Sequence, residues 1–217
     1  MGGYLQINLR HKDYAEGESV TGLFGWQDYA VVDTGAITRK VMETDLPLSL
    51  SLGVLGLNGI TAYFGLLDNG LPRPGDTVVV STAAGAVGSA VGQIAKLMGC
   101  RTVGIAGGPT KTKLCLDEFG YDVAIDYKVA GSIDEWLAAA CPDGVDVYFD
   151  STSGPISDAV MAHLSIGARV VICGRSCRQP PRQSCRLRYR PAAYRVRRQY
   201  LIDDRSPSSK SQTAPTR

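Results

Sequence analysis

Thr77-Val78-Val79-Val80-Ser81-Thr82-Ala83-Ala84-Gly85-Ala86-Val87-Gly88-Ser89-Ala90-Val91-Gly92 is the stretch on which the fold turns. Its first five residues are a short, β-branched, continuously apolar run behind the turn signal Pro74-Gly75-Asp76, the pattern of a strand buried on both faces. The chain then passes into small residues. Ala83, Gly85 and Gly88 stand at the spacing of the dinucleotide fingerprint G-x-G-x-x-G, with alanine in the first slot, and Gly92 follows one helical turn after Gly88. In such a turn Gly85 lets the backbone approach a pyrophosphate and Gly88 lets the helix lie close on the strand, while free N–H groups at the helix start face the phosphate charge. Glycine-rich strand-to-helix turns also occur where nothing binds, so the residues that follow matter. Residues 93–98 continue the helix, Gly99 closes it, and Arg101–Ala106 reads as a second buried strand. That completes a β-α-β unit of roughly 30 residues, the length of a nucleotide-binding half.

A dinucleotide site distinguishes its cofactors at the end of the second strand, where an acidic residue about 20 positions after the glycines binds the ribose hydroxyls. Here the strand runs instead into Gly107-Gly108-Pro109-Thr110-Lys111. The carboxylate that would repel a 2′-phosphate is missing and a cation has been gained, which favours NADP(H) over NAD(H). The plainer alternative makes Lys111 a solvated lysine in the first turn of a helix.

The alternation of elements continues downstream. A helix through residue 119 stops at Gly120, and a strand at 123–125 precedes a helix at 133–140. A strand at 145–149, a helix through 164 and a strand at 168–173 follow. Repeated β-α units predict a doubly wound parallel (Rossmann) α/β sheet whose ligand lies at the carboxyl ends of the strands, where residues 83–88, Lys111 and Ser151 all fall. Upstream, residues 20–24 and 29–32 read as two short β-runs around Gly25-Trp26. The two histidines, His11 and His163, have no partner at a telling spacing, so neither receives an acid-base role and no catalytic residue is assigned.

These strings carry a family resemblance. Residues 52–66 (Leu-Gly-Val-Leu-Gly-Leu-Asn-Gly-Ile-Thr-Ala-Tyr-Phe-Gly-Leu), Ala83-Ala84-Gly85-Ala86-Val87-Gly88-Ser89, Gly104-Ile105-Ala106-Gly107-Gly108, Gly25-Trp26-Gln27-Asp28-Tyr29 and Ile125-Asp126-Tyr127-Lys128 resemble the zinc-independent medium-chain dehydrogenase/reductases. The branch they resemble is that of the prostaglandin/leukotriene and NADPH-dependent curcumin reductases, with dense similarity from about His11 to Gly174. The resemblance implies that Gly85, Ala86, Val87 and Gly88 line the pyrophosphate of NADP(H) and that Lys111 and Tyr127 contact its 2′-phosphate. Ser151 stands where the family commonly has asparagine, and its shorter hydroxyl would have to serve the nicotinamide side. Asn58 replaces a proline of the family loop. The resemblance further implies residues 1–45 as the remnant of a GroES-like substrate domain truncated at its start, residues 46–174 as an incomplete NADP(H)-binding Rossmann domain, and a small α,β-unsaturated carbonyl substrate reduced by hydride transfer. It allows a homodimer in complete relatives. Trp26 and Tyr63 are pocket candidates whose commoner fate is core packing.

At 217 residues, 44% hydrophobic and 20% charged, the chain has the composition of a globular protein. The start carries no signal-like pattern, the apolar windows are interrupted, and six cysteines lack C-x-x-C spacing. A cytoplasmic protein with reduced thiols, no metal site and no membrane partner is expected. Charge is distributed unevenly: residues 175–217 hold eleven arginines and one lysine against two aspartates, whereas residues 1–174 are net negative. This tail departs from the family pattern, as translation in another frame would, and its proline and serine content predicts disorder. Nucleic-acid binding through the arginines is the rival function class, although no stacking or groove-reading motif accompanies them. Three readings stand: an active enone reductase, an inactive NADP(H)-binding fragment, and a basic-tailed nucleic-acid binder.

Overall fold

In the computed structural model, which describes residues 3–6, 12–25, 27–129, 131–174 and 195–198, the chain opens with a three-stranded antiparallel sheet. Its strands are β1 (Gly3–Gln6), β2 (Ser19–Gly22) and β3 (Ile37–Lys40), in that spatial order. Lys40 of β3 pairs with Glu18 at the entry to β2. The strand expected at 29–32 does not form: Tyr29 and Val31 are 90% and 100% exposed, and β3 takes the open edge of β2 instead. Gly22 provides the reason. A Cβ there would lie 2.3 Å from the Ala36 carbonyl oxygen, so the absence of a side chain is what lets the segment before β3 close onto β2. Trp26 lies outside the described residues.

Helix α1 (Leu57–Phe64) carries Asn58 in its first turn, where the amide donates to the Leu52 carbonyl at 3.3 Å. The helix widens into a π-helical turn, Gly65–Gly70, that ends at Leu71 in the left-handed region, φ 46°. Arg169 secures this turn by donating to the Gly70 and Leu71 carbonyls, each at 2.9 Å.

The larger sheet follows as β4 (Thr77–Ser81), α2 (Ala86–Leu97), β5 (Arg101–Ala106), α3 (Pro109–Asp117), β6 (Val123–Asp126), α4 (Ile133–Ala140), β7 (Val145–Asp150), α5 (Pro155–Ala162), β8 (Leu164–Ile172) and β9 (Arg195–Arg198). All its pairings are parallel, in the order β6-β5-β4-β7-β8-β9. Strand periodicity sends Val78, Val80 and Phe149 to one face, against Leu66 and Val91 of the helical segments at α1 and α2. Val79, Ile105 and Tyr148 go to the other face, against Leu137 of α4 and Val160 of α5. With helices on both faces the sheet is doubly wound, as the β-branched runs predict.

Two boundaries shift. β8 starts at Leu164 rather than 168, so α5 stops at Ala162 and His163 bridges the two. The His163 imidazole Nε2 lies 3.5 Å from an Asp134 carboxylate oxygen, a partner that sequence spacing does not reveal. Disorder expected from residue 175 onward does not hold for Arg195–Arg198, which pair in register with residues 169–172 and so cover that edge of β8. The rest of that expectation lies outside the described residues. Among the described residues, no helix is long and apolar enough to cross a membrane.

Candidate functional site

From β4 the chain builds outward through β5 and β6, then returns to lay β7 against the opposite edge of β4. The winding therefore reverses between β4 and β7, and a crevice outside the carboxyl ends of these strands is the ligand position of an open parallel sheet.

One wall of the crevice is the β4–α2 turn. Gly85 caps α2 with extended backbone and without a side-chain cap, so the amide groups of Ala86, Val87 and Gly88 open the helix toward the crevice. A side chain on Gly85 would meet Thr82 at 2.9 Å, and one on Gly88 would meet the Thr82 carbonyl oxygen at 2.3 Å. Gly88 thus sets how closely α2 lies on β4. The sharp reversal that the fingerprint assigns to its first residue is made here by Thr82, φ 56°, with Gly85 N–H donating to the Thr82 carbonyl at 2.8 Å. Ala83 is consequently free to be alanine, fully buried, with its Cβ where Gly104 offers no side chain.

The next wall is the loop after β5. Gly108, φ 94°, donates its N–H to Asp126 at 2.8 Å, and Lys128 N–H reaches the same oxygen at 3.0 Å. These amides, Gly108 first, hold the Asp126 carboxyl below its ordinary range. Tyr127 lies over Gly107, where a Cβ would come within 2.9 Å of the phenol oxygen. Lys111 is exposed in the first turn of α3. Tyr127 and Lys111 therefore flank one Gly-Gly loop, next to a recess of about 210 Å³ that Tyr127, Val129, Trp136 and Ile156 help to line.

Ser151 is placed differently from the other candidates. Its N–H donates to Ser81 Oγ at 2.8 Å, between the ends of the adjacent strands β4 and β7, while its hydroxyl is buried on the side of the Cys173 thiol. The main chain of Ser151, rather than its hydroxyl, borders the crevice.

Sequence reasoning missed two residues here. Asp150 gathers the donors of three elements, and the run Asp150-Ser151-Thr152-Ser153 behind an apolar strand was the available signal. Tyr121 is 4% exposed, donates to the Gly88 carbonyl at 2.7 Å and fills the notch left by Gly92 and Gly104.

Comparison with known proteins gives this geometry a family. The model of the zinc-binding dehydrogenase family matches residues 86–194, half of the chain. The chain belongs to that family. A putative NADP-dependent oxidoreductase of Bacillus subtilis (strain 168) is 54% identical over 159 residues, 73% of this chain and 47% of the relative. The NADPH-dependent curcumin reductase of Escherichia coli (strain K12) is 45% identical over 168 residues, 77% of this chain and 48% of the relative. The crystal structure of CurA from Vibrio vulnificus in complex with NADPH superposes with a TM-score of 0.76 at 39% identity, covering 94% of this chain and 63% of that one. The chain spans about half the length of the curated relatives it matches.

Within the family the chain falls in the zinc-independent medium-chain dehydrogenase/reductase branch. Among the described residues, no three His, Cys, Asp or Glu side chains come together, and the residues of this site offer no metal-ligand set. They do fit a phosphorylated dinucleotide, through an uncapped helix start behind a side-chain-free cradle and a glycine loop carrying a lysine.

Proposed function

We propose that residues 46–174 form an NADP(H)-binding domain and that the chain serves NADPH-dependent reduction of an activated carbon–carbon double bond in a small enone or alkenal. The observation that carries this reading is the pairing of the uncapped α2 start at the crevice with a segment after β5, residues 107–111, that has Lys111 and no acidic residue of its own. The amides of Ala86, Val87 and Gly88 orient the pyrophosphate, and Gly85 admits it. Lys111 and Tyr127 hold the 2′-phosphate, while Asp126 accepts the Gly108 and Lys128 amides through its Oδ1. Ser151 borders the nicotinamide side through its main chain.

NADPH, when bound, supplies the hydride that adds to the β-carbon of an α,β-unsaturated ketone or aldehyde, and a proton then adds at the α-carbon. The sheet contributes position: a rigid crevice fixes the dinucleotide, and residues 1–45 belong with the part of the protein that presents the substrate. Names of the relatives support the cofactor assignment, since NADP or NADPH stands in both.

Fluorescence titration with NADPH and NADH, followed by an enone-dependent loss of reduced-nicotinamide absorbance, tests the proposal. Tighter binding of NADPH with turnover supports it in full. Tight binding without turnover reduces it to a cofactor-binding role, and equal affinity for the two nucleotides overturns it.

A further inference from the structure

Asp150 ends β7 as a residue only 4% exposed, and no salt bridge among the described residues includes it. A buried carboxylate is costly unless hydrogen-bond donors replace its water. Here they do. Oδ1 accepts from the Ser81 hydroxyl at 3.3 Å, the Tyr148 hydroxyl at 3.1 Å, the Thr152 N–H at 2.9 Å and hydroxyl at 3.3 Å, and the Ser153 N–H at 2.9 Å. Oδ2 accepts from the Ser157 hydroxyl at 2.7 Å. These donors come from the end of β4, from β7 itself, from the loop after it and from the first turn of α5.

Two features connect this cluster to the crevice. Ser153, φ 59°, and Gly154, φ 75°, are consecutive left-handed residues, and the Thr152 and Ser153 amides that Asp150 accepts hold the loop in that course. Ser81 joins the ends of the adjacent strands β4 and β7 directly. Its hydroxyl donates to Asp150 and accepts the Ser151 N–H, so the carboxylate fixes the orientation in which Ser81 receives the Ser151 amide. What the carboxylate adds is a set distance and direction between the β4 end and residues 151–154.

We infer that Asp150, acting through Ser81, is a positioning residue for the nicotinamide half of the dinucleotide. The inference rests on the NADP(H) reading above. Lys111 and Tyr127 lie beyond β5 and β6, on the far side of β4 from β7, so the adenosine half is held independently of this cluster.

The test measures dissociation constants of NADPH and of adenosine 2′,5′-bisphosphate, which lacks the nicotinamide half, for the full chain and for Asp150→Asn, Ser81→Ala and Ser81→Thr. Asp150→Asn and Ser81→Ala are expected to weaken NADPH about tenfold and to leave the bisphosphate within about twofold, with Ser81→Thr restoring NADPH because it keeps the hydroxyl. A merely structural role would weaken both ligands together or neither, and either result overturns the inference. Should Asp150→Asn not fold, the two Ser81 variants decide by the same comparison. An unsubstituted chain that binds bisphosphate but shows no further gain with NADPH overturns the positioning role alone. One that binds neither overturns the NADP(H) reading, and this inference with it.

Discussion

Lys111 is exposed in the first turn of α3, and no acidic side chain among the described residues forms a salt bridge with it. A charge-assisted contact is worth about 1.5–3 kcal/mol, so Lys111→Ala should weaken NADPH roughly tenfold or more. NADH, having no 2′-phosphate, should be little affected, and parallel titrations of the two nucleotides check this. Thr82 makes a different prediction. A β-branched residue at φ 56° stores roughly 1–3 kcal/mol of backbone strain, and Thr82 is exposed. Thr82→Asn, which tolerates the left-handed region, should raise the melting temperature by about 2–4 °C for each kcal/mol relieved. Calorimetry would show it, and a lowered melting temperature would mean that the threonine methyl packed on Gly85 matters more than the strain.

Among elements, the seating of α2 on the sheet depends on what its glycines lack. A Cβ on Gly92 would lie 2.2 Å from the Tyr121 ring, and one on Gly88 would meet backbone that cannot move aside. Gly88→Val should therefore cost about 3 kcal/mol or more and weaken both nucleotides alike, as read from the denaturation midpoint and from titration. Gly92→Ala should be much less harmful in a Tyr121→Leu background, a coupling that a double-mutant cycle resolves. The far end of α2 is tied by charge. Lys96 pairs with Asp122, whose Oδ2 also accepts Thr102 N–H at 2.9 Å and the Thr102 hydroxyl at 3.0 Å. Burial raises the Asp122 carboxyl, but Lys96 and Thr102 outweigh it and leave it below its ordinary value. A lowered folded-state value means stability present above the ordinary carboxylate range and lost as pH falls through the folded value. Asp122→Asn should accordingly flatten the acid limb of the stability–pH curve while lowering stability at neutral pH.

For the whole molecule, the edge of the larger sheet matters most. β9 pairs with residues 169–172 of β8, so a chain ending at Gly174 would leave that apolar edge open. It should associate with rising concentration where the full chain does not, as light scattering would detect. Ligand linkage offers a global check on the cofactor: at a hundredfold excess over its dissociation constant NADPH should stabilise the fold by about 2.7 kcal/mol, and NADH at the same concentration by less.

Contiguous signals determined the doubly wound sheet. β-Branched runs at 77–81 and 101–106, glycine stops at Gly99 and Gly120, and the alternation of β and α patterns all act between near neighbours, so they can be read along the chain. The spacing of Gly85 and Gly88, and the Gly-Gly-Pro-Thr-Lys run after β5, are likewise read between near neighbours and mark the proposed cofactor crevice. Tertiary structure decided what depends on distant partners. Only when β7 lies beside β4 can Ser81 meet Ser151 and Asp150 across some seventy positions, and only then does the Ser151 hydroxyl turn toward Cys173 rather than the crevice. The third strand of the small sheet went to Ile37–Lys40 rather than to residues 29–32 because of a backbone approach at Gly22 that no local propensity encodes. Local pattern fixes the type of each element; which side chains share a buried space is set by the packing of elements far apart in sequence, and that packing buried Asp150 among donors from β4, the loop after β7 and α5.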